Sequence, residues 1–422
     1  MSDTIIKASR NTDNAPKHSH STQTVAFSHY NYISAQLPVR PTMDKVVAND
    51  VKAQATQCLK NIEAIAESID HVMDDVVKIN IYLKNIEDID AIDLIYAGAF
   101  QSHLPTRTVI AVDDLPMEGA LVQMDAIVSN GEGTHPQDAT DLIKVESNTE
   151  NAPKDSASMQ TVAFSHYNNI SAQLPLDPTT EAIVDGGVKE QTEQCLKNIQ
   201  AILENIEVPV DDIVKTTIFL TKAMDIEAVD QAYSTFFQEA NTAKTADYLF
   251  PARTIVIASE LPMNASVQID AVISHGNGTP PQAVEDRHNI VIKAHNTDSA
   301  PKHSLSTQTV AFSHYNHLSG QLPIDPKSGK IVSGDINEQT KQCLENIKTI
   351  IESTNHVMDD IVKVTIQLKD IKDIEAVNAI YKGYFDSDLP ARTVIGVSAI
   401  PMDALIQIDA ILSNAEGTPP AS

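Results

Sequence analysis

The alternation of apolar and polar positions along this chain is written three times. An apolar run, Ile5-Ile6-Lys7-Ala8, predicts an opening strand, with counterparts at 142–145 and 290–293. Nine identical residues, Gln-Thr-Val-Ala-Phe-Ser-His-Tyr-Asn, follow at 23–31, 160–168 and 308–316. In the first copy Thr24–Tyr30 and Tyr32–Gln36 read as a β-hairpin turning at Asn31. Leu59, Ile62, Ile65 and Ile69 lie at helical spacing, so a helix is expected over about 51–68, with counterparts near 188–205 and 336–353. Ile79, Ile81 and Leu83 alternate on one face of a further strand, and a second amphipathic helix is expected over about 86–99. Strands at 107–112 and 121–128 close the block. The order βββαβαββ places two helices on one face of one sheet, an α+β domain. The other face is also apolar, and three sheets packed around a shared axis would bury it. The chain is therefore expected to form an intramolecular pseudo-trimer around a central sheet barrel.

A unit near 130 residues is too long for a solenoid repeat and long enough to bury its own core. Domains are expected at 1–134, 142–279 and 289–418, joined by linkers at 133–141 and 278–288. Each linker could span about 30 Å at roughly 3.3 Å per residue. Thirteen residues separate Phe237 from Pro251, where the other copies have four between the matching Phe and Pro. Copy 2 should thus carry a long loop, 238–250, beside its arginine, positioned to gate one of three pockets.

Composition narrows the function. Hydrophobic residues make up 42%, as in globular domains, and no apolar run approaches the ~20 residues of a membrane span. The start of the chain lacks a signal-peptide core, so a cytoplasmic location is expected. A net charge of −27 without a Lys/Arg cluster argues against nucleic-acid binding. Cys58, Cys195 and Cys343 occupy one helical slot, which reads as a core thiol. No Cys/His cluster supports a metal, and no phosphate-binding glycine loop supports a nucleotide cofactor. His29, His166 and His314 read as turn histidines, and the Asp-Asp pairs at 74–75, 211–212 and 359–360 as solvated boundary acids.

Arginine usage carries the chemistry. Only six of the 30 basic residues are Arg, and three of those, Arg107, Arg253 and Arg392, fill one slot in Pro-Thr-Arg-Thr or Pro-Ala-Arg-Thr. A planar fork suits a carboxylate held by two parallel hydrogen bonds, a geometry Lys cannot supply. An ion pair stapling one unit to the next would use the same residue type, so both roles stand open.

The Ser-Gly-Gln-Leu-Pro segment at 319–323, the Asp-Ile-Val-Lys lead-in, the Pro-Ala-Arg-Thr motif and the acidic final strand together resemble the RidA/YjgF/YER057c/UK114 family. Its members are reactive intermediate deaminases, also labelled L-PSP endoribonucleases. The resemblance covers the chain except its linkers. It implies chorismate-mutase-like domains and ligand pockets at the three borders of a trimer, here joined in one monomeric chain. It further implies hydrolysis of 2-imino or 2-enamino acids to 2-keto acids and ammonia, with small 2-imino or 2-keto carboxylates as ligands and no cofactor or metal. Carried over, Arg107, Arg253 and Arg392 would grip the substrate carboxylate. Ser34, Ser171 and Ser319 would line the pocket beside Ala35, Ala172 and Gly320. Two positions depart from the family: Ser21, Ser158 and Ser306 stand at its pocket tyrosine, and Gln123, Gln268 and Gln407 at its water-steering glutamate. An amide orients water but does not take its proton. Asp125, Asp270 and Asp409, two residues on and on the same strand face, could substitute, with a structural salt bridge as the competing role. A non-catalytic keto-acid binder is the alternative function, ahead of a ribonuclease or translation inhibitor.

Overall fold

The structure, a computed structural model, describes residues 5–102, 104–130, 133–134, 143–240, 250–274, 279, 291–415 and 417–418. In repeat 1 the elements are β1 (Ala8–Arg10), β2 (Thr24–Phe27), β3 (Tyr30–Gln36), α1 (Val51–Glu67), β4 (Val76–Leu83), α2 (Ile89–Ala97), β5 (Thr106–Ala111) and β6 (Val122–Ser129). They build one six-stranded sheet in the order β1-β2-β3-β6-β4-β5, and repeats 2 and 3 reproduce that order. Only β4 and β5 run parallel, because the α2 crossover returns the chain in the same direction. That crossover leaves β5, the arginine strand, at the outer edge of its sheet.

Three expectations need correction. The opening strands start three residues later, at Ala8, Val145 and Lys293. Lys7 and Lys144, expected inside them, instead donate to main-chain carbonyls of another repeat, at Ile361 (3.4 Å) and Val76 (3.1 Å) respectively. The hairpin turns at Ser28-His29, with Ser28 at φ 49°, and Asn31 is buried within β3. The left-handed turn is held from outside: Thr134 Oγ1 accepts the Ser28 N–H at 2.8 Å, and Thr279 and Thr418 do the same for Ser165 and Ser313. The closing threonine of every copy thus fastens the hairpin tip. Finally, the second helix of repeat 2 runs Ile226–Ala240, so the first three residues of the expected loop are helical. Residues 241–249 lie outside the described residues, and so does the question of a gate.

α1 is capped by Asp50, which accepts from the Ala53 N–H at 2.9 Å, and buries Cys58, Leu59, Ile62 and Ile65 against its sheet. The matching thiols, Cys195 and Cys343, are equally buried. Each repeat has such a core of its own. The opposite sheet faces pack on one another in two shared clusters. At one end Tyr30, Tyr167 and Tyr315 form a triangle, with ring centres 5.7–6.2 Å apart in edge-on geometry. Their hydroxyls donate to the Phe164, Phe312 and Phe27 carbonyls, so each repeat bonds the next and the third returns to the first. At the rim, single bridges Ala111–Glu260, Ile257–Ala399 and Gly396–Asp114 complete a second cycle. The three ladders themselves are not continuous with one another.

Between these ends lies a cavity of about 130 Å3 ringed by Lys78, Lys215, Lys363, Asp125, Asp270 and Asp409. Each lysine faces the aspartate of the following repeat: Lys78–Asp270 at 2.6 Å, Lys215–Asp409 at 3.7 Å and Lys363–Asp125 at 3.1 Å. The same carboxylates accept from Thr108, Thr254 and Thr393, the residues that follow the three arginines.

Candidate functional site

β3 contains a register shift between Ile33 and Gln36, and its repeat 2 equivalent carries the same irregularity between Ile170 and Gln173. A bulge of this kind re-aims the side chains within it. The serine there turns toward the edge strand of the preceding repeat. Ser171 Oγ accepts the Arg107 N–H, Ser319 Oγ that of Arg253 and Ser34 Oγ that of Arg392, each at 2.8 Å. The same hydroxyls donate to the Met159, Thr307 and Thr22 carbonyls at 2.6 Å. The serines lie at the borders between repeats, each hydroxyl already donating one bond and accepting another. Their part is to position the arginine strand.

Three clefts result, each built from the arginine edge of one repeat and the β3 region of the next. The Arg107 cleft, about 390 Å3, is lined by Ser158, Ser171, Ala172 and Gln268 of repeat 2. The Arg253 cleft, about 240 Å3, is lined by Ser306, Ser319, Gly320 and Gln407 of repeat 3. By the repeat symmetry a third cleft, at Arg392, closes the cycle against repeat 1: Ser34 holds the Arg392 backbone, and Gln123 Nε2 donates to the Val394 carbonyl at 3.4 Å. Ser21 belongs to the same border, since the Thr22 N–H beside it donates to the Pro390 carbonyl at 3.3 Å. Gly320 allows a close approach, because a Cβ there would meet the Gln407 side chain at 3.0 Å. Its N–H donates to the Arg253 carbonyl at 3.0 Å, so it is not offered to a ligand.

Each guanidinium lies over a buried tyrosine, Arg107 on Tyr96, Arg253 on Tyr233 and Arg392 on Tyr381, at 5.0–5.1 Å from the ring centre. This aromatic wall was not anticipated, since the sequence put serines at the family's tyrosine position. The repeated Ile-Tyr or Ala-Tyr just before the variable loop was the available signal. Gln407 Nε2 donates to the Ile255 carbonyl at 2.8 Å and Gln268 Nε2 to the Ala172 carbonyl at 3.5 Å. The amide oxygens of Gln123 and Gln268 are buried without a partner. Gln123 and Gln268 therefore keep an amide acceptor to spare at their borders, and Gln268 and Gln407 line the clefts of Arg107 and Arg253.

The aspartates do not join them. Asp125, Asp270 and Asp409 line the axial cavity and are engaged by lysine and threonine, so the salt-bridge role is the one the structure displays and their placement as catalytic acids beside the glutamines is corrected. The missed residues are the partners of the guanidinium. Arg107 is paired with Asp93 of its own repeat and, at 2.8 Å, with Asp155 of the next. Arg253 is paired with Asp230 at 2.6 Å and reaches His303 Nδ1 at 3.5 Å. Among the described residues, the Arg392 guanidinium bonds the neutral Asn378 amide oxygen at 2.7 Å in place of a carboxylate. Burial lowers the Arg107 pKa, but Asp155 and Asp93 outweigh it and the net shift is upward. For Arg392, burial prevails and the shift is downward. Burial and the adjacent arginine also hold His18 and His303 below the ordinary histidine value.

The chain belongs to the family described as Endoribonuclease L-PSP, whose model matches it three times, at residues 12–130, 149–274 and 297–413. A RutC family protein of Pyrococcus horikoshii is 45% identical over 116 residues, which is 27% of this chain and 92% of that protein. A human protein named 2-iminobutanoate/2-iminopropanoate deaminase is 40% identical over 105 residues, 25% of this chain and 77% of the relative. Among solved structures, a putative endoribonuclease from Thermotoga maritima shares 37% identity over 29% of this chain and 96% of its own, with a TM-score of 0.28. No helix among the described residues is long and apolar enough to cross a membrane.

Proposed function

We propose that the chain binds small 2-imino carboxylates in the clefts between its repeats and hydrolyses them to 2-keto acids and ammonia. The observation that carries this reading is the pairing, at each border, of a guanidinium held over a buried tyrosine with a glutamine amide. The deaminase names of several relatives support it. In the reaction, water adds its oxygen to C2 and its proton ends on the imine nitrogen. As the C2 hydroxyl proton then passes to nitrogen, the C2–N bond breaks, ammonia leaves and the C2 carbonyl forms. Arginine would hold the carboxylate and the amide oxygen would orient water, effects worth rate mainly through positioning. Because an amide takes no proton, the transfer falls to solvent or to a cleft imidazole, His18 beside Arg392 or His303 beside Arg253.

The glutamines also favour a second reading, a keto-acid binder without turnover. One experiment separates the two. 2-Iminobutanoate is generated with a threonine dehydratase, and keto-acid release is followed against semicarbazide trapping. Acceleration over buffer supports hydrolysis. Folded protein that binds 2-oxobutanoate but gives no acceleration is a binder. Ribonuclease activity fits least well with the net charge of −27.

A further inference from the structure

The three clefts share a frame but not a charge. In all of them a lysine pairs with an acid four residues before it: Lys17 with Asp13, Lys154 with Glu150 and Lys302 with Asp298. An acid also recurs near the helix start, at Asp90, Glu227 and Glu375. Those groups cancel in any comparison. The clefts differ in charge chiefly at two positions. The first holds Asp93, Asp230 or Asn378, and the second holds Asp155, His303 or His18. The Arg392 side also adds His20 and Lys382 where the other copies hold Ala157 and Leu305, and Ala97 and Ser234. The Arg107 cleft thus carries one arginine and two carboxylates bonded to it, a net negative site. The Arg253 cleft carries one arginine and one carboxylate, with a histidine that burial and the arginine keep uncharged. The Arg392 cleft carries an arginine, an amide and an uncharged histidine, a net positive site.

Geometry separates them further. Met263 and Met402 lie in the Arg107 and Arg253 clefts on turns with φ 56° and 59°. Repeat 1 has one more residue in that turn, with Gly119 at φ 79°, and its Met117 packs into the shared apolar cluster instead. The Arg392 cleft, to which repeat 1 contributes, therefore lacks the methionine cover. A guanidinium with a carboxylate on each terminal nitrogen keeps spare N–H donors, but its positive charge is offset, and the second acid repels an incoming anion.

We infer that the chain has one carboxylate site, the Arg392 cleft between repeats 3 and 1, and that the Arg107 cleft is closed to anions by Asp93 and Asp155. This rests on the carboxylate-binding part of the proposed function. The chain would then be three structural copies supporting one functional border.

The test is titration with 2-oxobutanoate by calorimetry or by NMR of the labelled ligand. About one site per chain is expected. Arg392→Met should abolish it. Asn378→Asp, which rebuilds the pairing of the other clefts, should weaken it roughly 100-fold, the effect of a like charge about 6 Å away at an effective dielectric near 20. Asp93→Asn with Asp155→His should create a second site, a gain that no folding defect can mimic. Two or three sites in the unaltered protein, or an Arg392→Met variant that keeps half or more of the binding, overturns the inference and leaves the proposed function intact. Binding confined to the Arg392 cleft without turnover overturns hydrolysis alone. Absence of binding in every variant overturns both.

Discussion

Replacing Lys363 by methionine tests what holds the first and last repeats together. Lys363 Nζ lies 3.1 Å from Asp125 Oδ2 and 3.1 Å from the Ile33 carbonyl, and the two side chains are 10% and 3% exposed. Methionine keeps the aliphatic stem, so little volume is lost and the effect is electrostatic. At 3.1 Å the pair attracts by about 5 kcal/mol with an effective dielectric near 20. The Asp125 carboxylate would retain the Thr393 hydroxyl and the Asn80 amide, the latter at 2.7 Å. It would still be a buried charge without a counter-charge, a change that typically costs ~3–5 kcal/mol. Adding Asp125→Asn removes that charge; the amide oxygen still accepts from Asn80, and the Thr393 hydroxyl can turn to accept from the new NH2, so the double variant should recover most of the loss. The assay is urea unfolding followed by circular dichroism and tyrosine fluorescence, read as a double-mutant cycle. A single variant losing less than about 1 kcal/mol, or a double variant as unstable as the sum of the singles, refutes the view that this ring couples the repeats.

Three further outcomes follow from local geometry. Asp75 and Asp360 pair with His71 and His356 and accept the Val72 and Val357 N–H groups, but at Asp212 the corresponding residues are Val208 and Pro209, which supply neither. Burial, with Asp211 adding to it, raises the Asp212 pKa to about 6. The folded state then binds the extra proton between about pH 4 and 6, so this contribution is complete below pH 4 and lost as pH rises through 6. Asp212→Asn should stabilise by ~1 kcal/mol at pH 7, after allowance for solvent screening, and not at pH 4, in paired denaturation curves. Gly320→Ala brings a Cβ within 3.0 Å of Gln407 and 3.1 Å of Thr254, so a cost of about 1 kcal/mol and a displaced Gln407 amide are expected by denaturation and crystallography. The buried thiols Cys58, Cys195 and Cys343, pushed upward in pKa by burial, should resist Ellman's reagent in the native protein and react on unfolding; prompt native reaction would contradict the packing of the first helix in each repeat.

The amino-acid sequence alone determined the threefold repetition, the α+β element order, the unpartnered apolar sheet face and the arginine that recurs at one slot. These are properties of local periodicity and residue type, and Ile79, Ile81 and Leu83 alternate whatever lies across from them. It misplaced the hairpin turn because Asn31 is the residue that best tolerates a left-handed backbone, whereas Ser28 adopts it under restraint by a threonine more than a hundred residues away. It could not say whether Asp125 would sit beside Gln123 at a cleft or on the axis, since two residues on one strand face can look into different cavities once neighbouring sheets close over them. Tertiary structure alone decided which residues meet each guanidinium. Asp155 reaches Arg107 across a domain border, and no spacing rule reports on a partner 48 positions away. The difference between Asp93 and Asn378 was visible in a comparison of the copies, but it acquired meaning only when both were seen to face an arginine. Charge acts through space, and the order of residues along the chain does not carry that distance.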